Sequence, residues 1–308
     1  MNEIKDKAQG VIAAADSTPE TDLQALPLVD MPLVIYHKGC PDGMLAAWCF
    51  WKHFGENAQY HAGVYNEPPP YCLNRDVFLV DFSYPPAIMA MVAEYAAKVT
   101  VIDHHRAAVD AICALRHENI DLRCDYSYSG AALAYSYMAA VYGGKKVVPR
   151  LINHVQDYDL WKFELAGTRE IILSISHITD FRDMEGEVNR CQTAAGREAM
   201  VRDGKAIRRY QQGVIRYAVS AHRLRNIGGY QVPVANVPGL LANDVCEALH
   251  LVSETNTFTA SYYDHEKTRN FSLRSLPDGT DVARIARIYG GNGHKHAAGF
   301  KIPVPPVV

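Results

Sequence analysis

No stretch of the chain approaches the ~18 to 20 uninterrupted apolar residues that a membrane-spanning helix requires. The first thirty residues carry acids throughout and contain no apolar signal-peptide core, so a cytoplasmic protein is expected. Cysteine pairing is missing too: seven cysteines lie scattered at positions 40, 49, 72, 113, 124, 191 and 246, with no Cys-x-x-Cys among them. An odd, dispersed set excludes a disulfide framework and a zinc ribbon, and predicts free thiols in a reducing compartment. The chain lacks an excess of either charge, with a formal net charge of −3, which argues against a protein that lives on long nucleic acid. Small anionic substrates remain open. There is no internal repeat.

What the chain has is enough apolar residue for a sizeable core: 308 residues, 48% of them hydrophobic and 21% charged, a composition that allows two ordinary domains. Residues 1–30 mix weak helical pattern with Ser, Thr, Pro and acids and read as a loosely docked extension. From Pro32, short apolar runs alternate with helical patterns: PLVIYH, GMLAAWCFWKHFG, AQYHAGVY, DVFLVDFS, PPAIMAMVAEYAAK and VTVIDHH. That alternation predicts βα units around a parallel sheet. The runs ending at His37, Asp81 and Asp103 have continuous apolar bodies, as strands covered on both faces do. Each ends in a polar group, and open α/β sheets bind ligands beyond the carboxyl ends of their strands.

Further on, SGAALAYSYMAAVYGG reads as a helix capped by Ser129, and PRLINHVQDYDLWKF brings Asp157 and Asp159 beside an apolar stretch. A long helical pattern follows, with Arg202, Lys205, Arg209, Arg216 and Arg223 roughly on one stripe. From Gly228 strand-like pieces (YQVPVANV, TFTASYYD, FSLRS) interleave with the helical patterns LLANDVCEALHL and DVARIARIYG. The expected organisation is an extension at 1–30, an α/β domain at 31–197, a helical linker at 198–227 and a smaller α+β domain at 228–308.

Asp103, His104 and His105 form the most specific local string. Imidazole and carboxylate together suit a borderline divalent cation such as Mn²⁺, with Asp103 placed to orient a ring. Singly, each Asp is an N-cap candidate. As a set, the carboxylates of Asp42, Asp81 and Asp157 with a histidine repel and desolvate one another unless a cation compensates. In the distal half, Gly290, Gly291, Asn292, Gly293 and His294 follow a helical pattern, where a glycine turn can offer backbone N–H groups to an anion.

These residues resemble the DHH phosphoesterases, named for the tripeptide that stands here as Asp103, His104 and His105. YHKGCPDG, VDFS and QDYDLW are similar to that family's earlier and later metal motifs, and SLRS with RIARIYGGNGHKHAAGF is similar to the DHH-associated C-terminal domain. The resemblance runs discontinuously from about Leu33 to Phe300. It implies an α/β fold with a mainly parallel-sheet N-terminal lobe, a smaller α+β C-terminal lobe and an active site in the cleft between them. It assigns Asp42, Asp81, His104 and Asp157 to metal, with Asp159 competing with Asp157, and His105, helped by Asp103, to the reacting phosphate. Arg274, Gly291, Gly293 and His294 would take the substrate.

The first motif departs from the family pattern. Cys40 stands where an aspartate is usual and His37 lies one residue too close, so Cys40 either ligates a softer ion as thiolate, with His37 bending in, or is a small buried residue. The implied function is hydrolysis of phosphodiester or phosphomonoester bonds in short oligonucleotides or dinucleotides, nanoRNase-like, with one or two Mn²⁺ or Mg²⁺ ions. Long nucleic acid and membrane are not expected partners; a homodimer is possible. The rival readings are a pyrophosphatase or polyphosphatase, and a nucleotide-binding protein whose centre Cys40 has disabled.

Overall fold

The computed structural model describes residues 31–65, 67–143, 147–253 and 257–304; the expected extension at 1–30 lies outside them. The chain divides into two compact units, Met1–Gly204 and Lys205–Val308.

In the first unit five strands form one parallel sheet: β1 (Leu33–His37), β2 (Gln59–Gly63), β3 (Asp76–Val80), β4 (Lys98–Ile102) and β5 (Ile120–Arg123), in the order β2-β1-β3-β4-β5. Between them run α1 (Pro41–Phe54), α2 (Pro86–Tyr95) and α3 (Arg106–Leu115). The alternation of side chains along β1 explains its unbroken apolar run. Leu33 and Ile35 join Val77, Leu79, Val99, Val101, Met89 and Val92 on one face, while Val34 and Tyr36 join Val80, Ile102, Leu45 and Phe50 on the other. Both faces are covered, so no position of the strand is left for a polar residue until its end.

The second face is closed by α4 (Gly130–Val141), α5 (Arg150–Asp159), α6 (Thr168–Ser174) and α7 (Met184–Gln192). Ser129 caps α4, its side chain accepting from the Ala132 amide. After β2 the chain returns to the other side of β1 to lay down β3, so β1 and β3 flank the point where the winding reverses, the place where doubly wound sheets hold ligands.

The helix α8 (Ala194–Ser220) runs through the boundary between the units. The second unit is a mixed six-stranded sheet in the order β10-β11-β9-β8-β7-β6, built from β6 (Arg223–Ile227), β7 (Tyr230–Asn236), β8 (Thr259–His265), β9 (Thr268–Arg274), β10 (Asn292–His294) and β11 (Ala297–Pro303). Only β7 and β8 pair in parallel. The helix α9 (Ala242–Val252) packs Val245 and Leu249 with Ala218 and Val237, while α10 (Val282–Ile288) packs Val282 and Ile285 with Phe258 and Leu273.

Four strands were not anticipated: β5, β6, β10 and β11, of which β10 lies within the segment read as a glycine turn and β11 follows it. β5 and β6 are edge strands of sequence IDLR and RLRNI, the first half-buried and the second mostly exposed, and so carry charge where a buried strand would carry an apolar run. Among the described residues no helix is long and apolar enough to cross a membrane.

Candidate metal centre

His37 closes β1, Asp81 follows β3 and Asp103 follows β4. These three strands are neighbours and parallel, so their polar ends meet at one edge of the sheet. Asp81 turns the chain in the left-handed region at φ 54°, its amide still donating to the Ile102 carbonyl. Such a backbone costs a non-glycine residue of order 1–3 kcal/mol and persists only where the surroundings enforce it. One enforcing contact is Gly130 at the start of α4. A Cβ there would lie 2.5 Å from Asp81 Cβ and 2.7 Å from Asp81 Oδ1, so only glycine lets the helix approach.

Three overlapping groups of donors result, each offering ligand atoms within 4.8 Å of one another: His37, Cys40 and Asp81; Asp81, His104 and His105; Asp42, His104 and Asp159. Asp81 and His104 link the groups. His104 Nε2 lies 3.2 Å from Asp81, 3.4 Å from Asp159 and 3.7 Å from Asp42. Asp42, in the first turn of α1, is buried and accepts from the Gly130 and Ala131 amides at 2.6 and 3.0 Å, so it also ties α1 to the N-terminus of α4.

The charges in this pocket are uncomfortable without a cation. Burial, together with the facing carboxylates of Asp81 and Asp159, holds the Asp42 carboxyl well above the usual carboxylate range. Burial raises Asp159 as well, with Asp81 adding to it. Burial would raise Asp81 too, yet the facing imidazoles of His104, His37 and His105 bring it below its ordinary value. The Cys40 thiol is pushed up to about 12 by burial and by the Asp81 carboxylate.

The donors fit a divalent ion. His37 Nδ1 and Asp81 Oδ2 are buried atoms without a hydrogen-bond partner, and they face each other at 3.6 Å. That is too long for a hydrogen bond and is the spacing two donors take around a shared ion at bonds of about 2.1 Å. Left unpaired, each such atom costs about 1–3 kcal/mol. Nitrogen, sulfur and carboxylate oxygen together suit a borderline ion at His37, Cys40 and Asp81, whereas Asp42, Asp159 and His104 offer the harder set.

Asp103 is not among these donors. Fully buried, it accepts from Ser83 Oγ at 2.5 Å, from the His104 and His105 amides at 2.7 and 3.1 Å, and from His105 Nδ1 at 2.7 Å. That last bond raises His105 to about 9, against the opposing effect of burial. Ser83, the last residue of VDFS, thus helps to fix the acid that fixes His105.

The structure gathers Asp159, and not Asp157, into these donor groups. The Asp157 carboxylate is spent on the Glu164 and Leu165 amides at 2.8 and 3.1 Å and on Thr168 Oγ1 at 2.6 Å, and it is Asp159 that reaches His104. Residues two apart on a helix point about 200° away from each other, so one of the pair had to face away.

In the second unit the glycine turn also differs from its expected use. The Gly290 and Gly291 amides close the C-terminal turn of α10 by donating to the Arg287 and Ala286 carbonyls, and the Gly293 amide donates to Asn292 Oδ1. These N–H groups are engaged, and a helix C-terminus repels anions. The glycines serve close packing: a Cβ on Gly291 would stand 2.2 Å from the Gly299 carbonyl oxygen, and one on Gly293 2.4 Å from Ala298 Cα. Arg274, at the end of β9, has two guanidinium nitrogens committed, Nε to Asn243 and Nη1 to the Leu273 carbonyl. His294 is exposed on the edge strand β10.

Fold and site together define an α/β protein with a His, Asp and Cys cluster at the ends of parallel strands. No family model matches the chain. It is 24% identical over 296 residues to uncharacterized protein R106 of Acanthamoeba polyphaga mimivirus, covering 87% of this chain and 66% of that relative's length. Among solved structures it is similar to the DHH domain of a member of the s1p family of ribosomal proteins, with TM-score 0.54, 13% identity and coverage of 89% of this chain and 83% of that one. It is likewise similar to a pGpG-specific phosphodiesterase from Vibrio cholerae, with TM-score 0.50, 14% identity and coverage of 89% and 94%. The chain therefore carries the DHH-type fold.

Proposed function

We propose that the protein is a metal-dependent phosphoesterase that hydrolyses phosphate esters of short oligonucleotides or dinucleotides. The observation that carries the reading is the meeting of His37, Cys40, Asp42, Asp81, His104 and Asp159 at one sheet edge, with Asp81 Oδ2 and His37 Nδ1 buried and unpartnered. The two DHH-type structures, one of them a phosphodiesterase, support it at the level of fold.

A divalent cation held there would supply Lewis acidity, lowering the pKa of water and polarising a phosphoryl oxygen. The protein's own contribution is positional and electrostatic. Asp42, Asp81 and Asp159 supply negative charge, and His104 spans all three. With no ion bound, the Asp103 carboxylate raises His105 to about 9. Its Nδ1 is committed to Asp103, which leaves Nε2–H to donate to a non-bridging oxygen whose charge grows in the transition state. Mn²⁺ is the proposed ion for the Asp42, Asp159 and His104 donors, and Cys40 as thiolate would bias the neighbouring group toward a softer one.

The test is hydrolysis of 5′-phosphorylated dinucleotides, longer oligonucleotides and pyrophosphate in Mn²⁺, Mg²⁺ and chelator, with bound metal counted on the same sample. Metal-dependent release of mononucleotides, fastest from dinucleotides, is expected, and Asp81→Ala should lower it by about 10²–10³-fold, the effect of removing a group that stabilises transition-state charge. Turnover of pyrophosphate alone would redirect the reading to a pyrophosphatase. Nucleotide binding with no turnover of any substrate would replace it with a binding role.

A further inference from the structure

Asp159 faces the donor cluster, and two residues beyond it the chain does something costly. Trp161 and Phe163 both adopt left-handed backbone, at φ 56° and 54°, a region that bulky side chains avoid. Trp161 is nonetheless 69% exposed, so the strain does not serve burial of its ring. The turn is firmly held from below. The Asp157 carbonyl accepts from the Lys162 and Phe163 amides at 2.9 and 3.3 Å, the Tyr158 carbonyl accepts from the Trp161 amide at 3.0 Å, and the Asp157 carboxylate takes the Glu164 and Leu165 amides. Asp157 thus organises the turn that presents Trp161.

The ring is braced as well as exposed. Phe163 meets it edge-on at 4.8 Å between centroids, Tyr158 lies 6.0 Å away, and the Arg169 guanidinium sits 4.0 Å from the Phe163 centroid and 5.9 Å from that of Trp161. Strain at a fixed, exposed aromatic two residues from Asp159 points to a ligand. Residues two apart have Cα atoms within about 7 Å of each other, comparable with the separation of a nucleotide's 5′-phosphate from its base. A flat π-face with an arginine beside it suits a nucleobase of any sequence.

We infer that Trp161, braced by Phe163 and Arg169, is the stacking platform for a base of the substrate whose phosphate is held at the Asp159 side of the cluster. This deepens the proposed function and rests on a phosphate ester binding there. A second protein could also cover an exposed tryptophan; it would not discriminate between nucleotides with and without a base.

The test compares adenosine 5′-monophosphate with ribose 5-phosphate, which lacks the base, in the Mn²⁺-loaded full chain. Affinities are measured by calorimetry in the wild type, Trp161→Ala and Trp161→Phe, and quenching of tryptophan fluorescence is followed in the wild type. The expected result is quenching by the mononucleotide, an affinity loss of about tenfold in Trp161→Ala that Trp161→Phe largely avoids, and unchanged ribose 5-phosphate binding by competition. With a dinucleotide substrate the loss should fall on KM. Equal weakening of both ligands in Trp161→Ala would mean a merely structural turn and overturn the inference, as would no quenching at millimolar mononucleotide. Base-dependent quenching in a protein without turnover would uphold the platform while the hydrolytic reading fails. Turnover indifferent to Trp161→Ala would do the reverse.

Discussion

Within the cluster, each ionisable side chain has a different task because its neighbours differ. Asp103 and Asp81 end adjacent strands and are both buried, yet one is saturated with N–H and O–H donors and the other keeps an oxygen without a partner. The first holds a histidine, and the second is the acid that the proposed centre would give to a cation. A titration separates the two. In the metal-free protein His105 should titrate near 9, raised above its ordinary 6.5 by Asp103. A raised folded-state pKa contributes stability that is complete below about 6.5 and is lost as pH rises through about 9. Asp103→Asn should return the titration toward the ordinary value and flatten the pH dependence of stability over that interval. Histidine-resolved NMR on both proteins would check it; a wild-type His105 titrating at 6.5 would refute the assignment.

Between elements, contacts at helix starts place the carboxylates. Gly130 opens α4 against Asp81, Asp42 in α1 accepts from the α4 N-terminus, and the last turn of α5 sends Asp157 and Asp159 in opposite directions. The pair makes a clean comparison. Asp159→Asn should leave the midpoint of urea unfolding of the metal-free protein almost unchanged and weaken metal binding by at least tenfold. Asp157→Asn should do the converse, costing roughly 1–3 kcal/mol as the buried Thr168 hydroxyl and the turn amides lose a carboxylate acceptor, with metal stoichiometry retained. Calorimetric metal titration beside urea unfolding would decide, and the opposite pattern would restore Asp157 as the ligand.

For the whole molecule, each unit has its own core. Phe50 fills the first and Phe258 the second, both fully buried. The metal donors all belong to the first unit, so damage to the second core should leave them intact. Phe258→Ala is expected to cost about 3–5 kcal/mol of the second unit's stability while Mn²⁺ stoichiometry stays as in the wild type. Scanning calorimetry with metal analysis would test this, and a parallel loss of bound metal would mean that the centre depends on the second unit.

Much of this architecture was legible in the chain itself. Continuous apolar runs ending in His37, Asp81 and Asp103 demanded strands buried on both faces, and helical patterns between them demanded a parallel sheet, because hydrophobic periodicity is a local property of sequence. The charged edge strands β5 and β6 escaped because partial or full exposure removes that signal, and β10 and β11 because they lie in and after the glycine cluster. Of the candidate donors, residue type and strand-end position were readable. A helix stop was the plainer reading of Gly290 and Gly291, whereas which of Asp157 and Asp159 turns inward was not readable, nor that Ser83 and Gly130 support the cluster. Those outcomes depend on where distant segments meet, and a helix rotation of one residue or a single close approach decides them. The sequence alone determined the inventory of ligands and the sheet that gathers them; only the tertiary structure decided which oxygen is left without a hydrogen and therefore free for an ion.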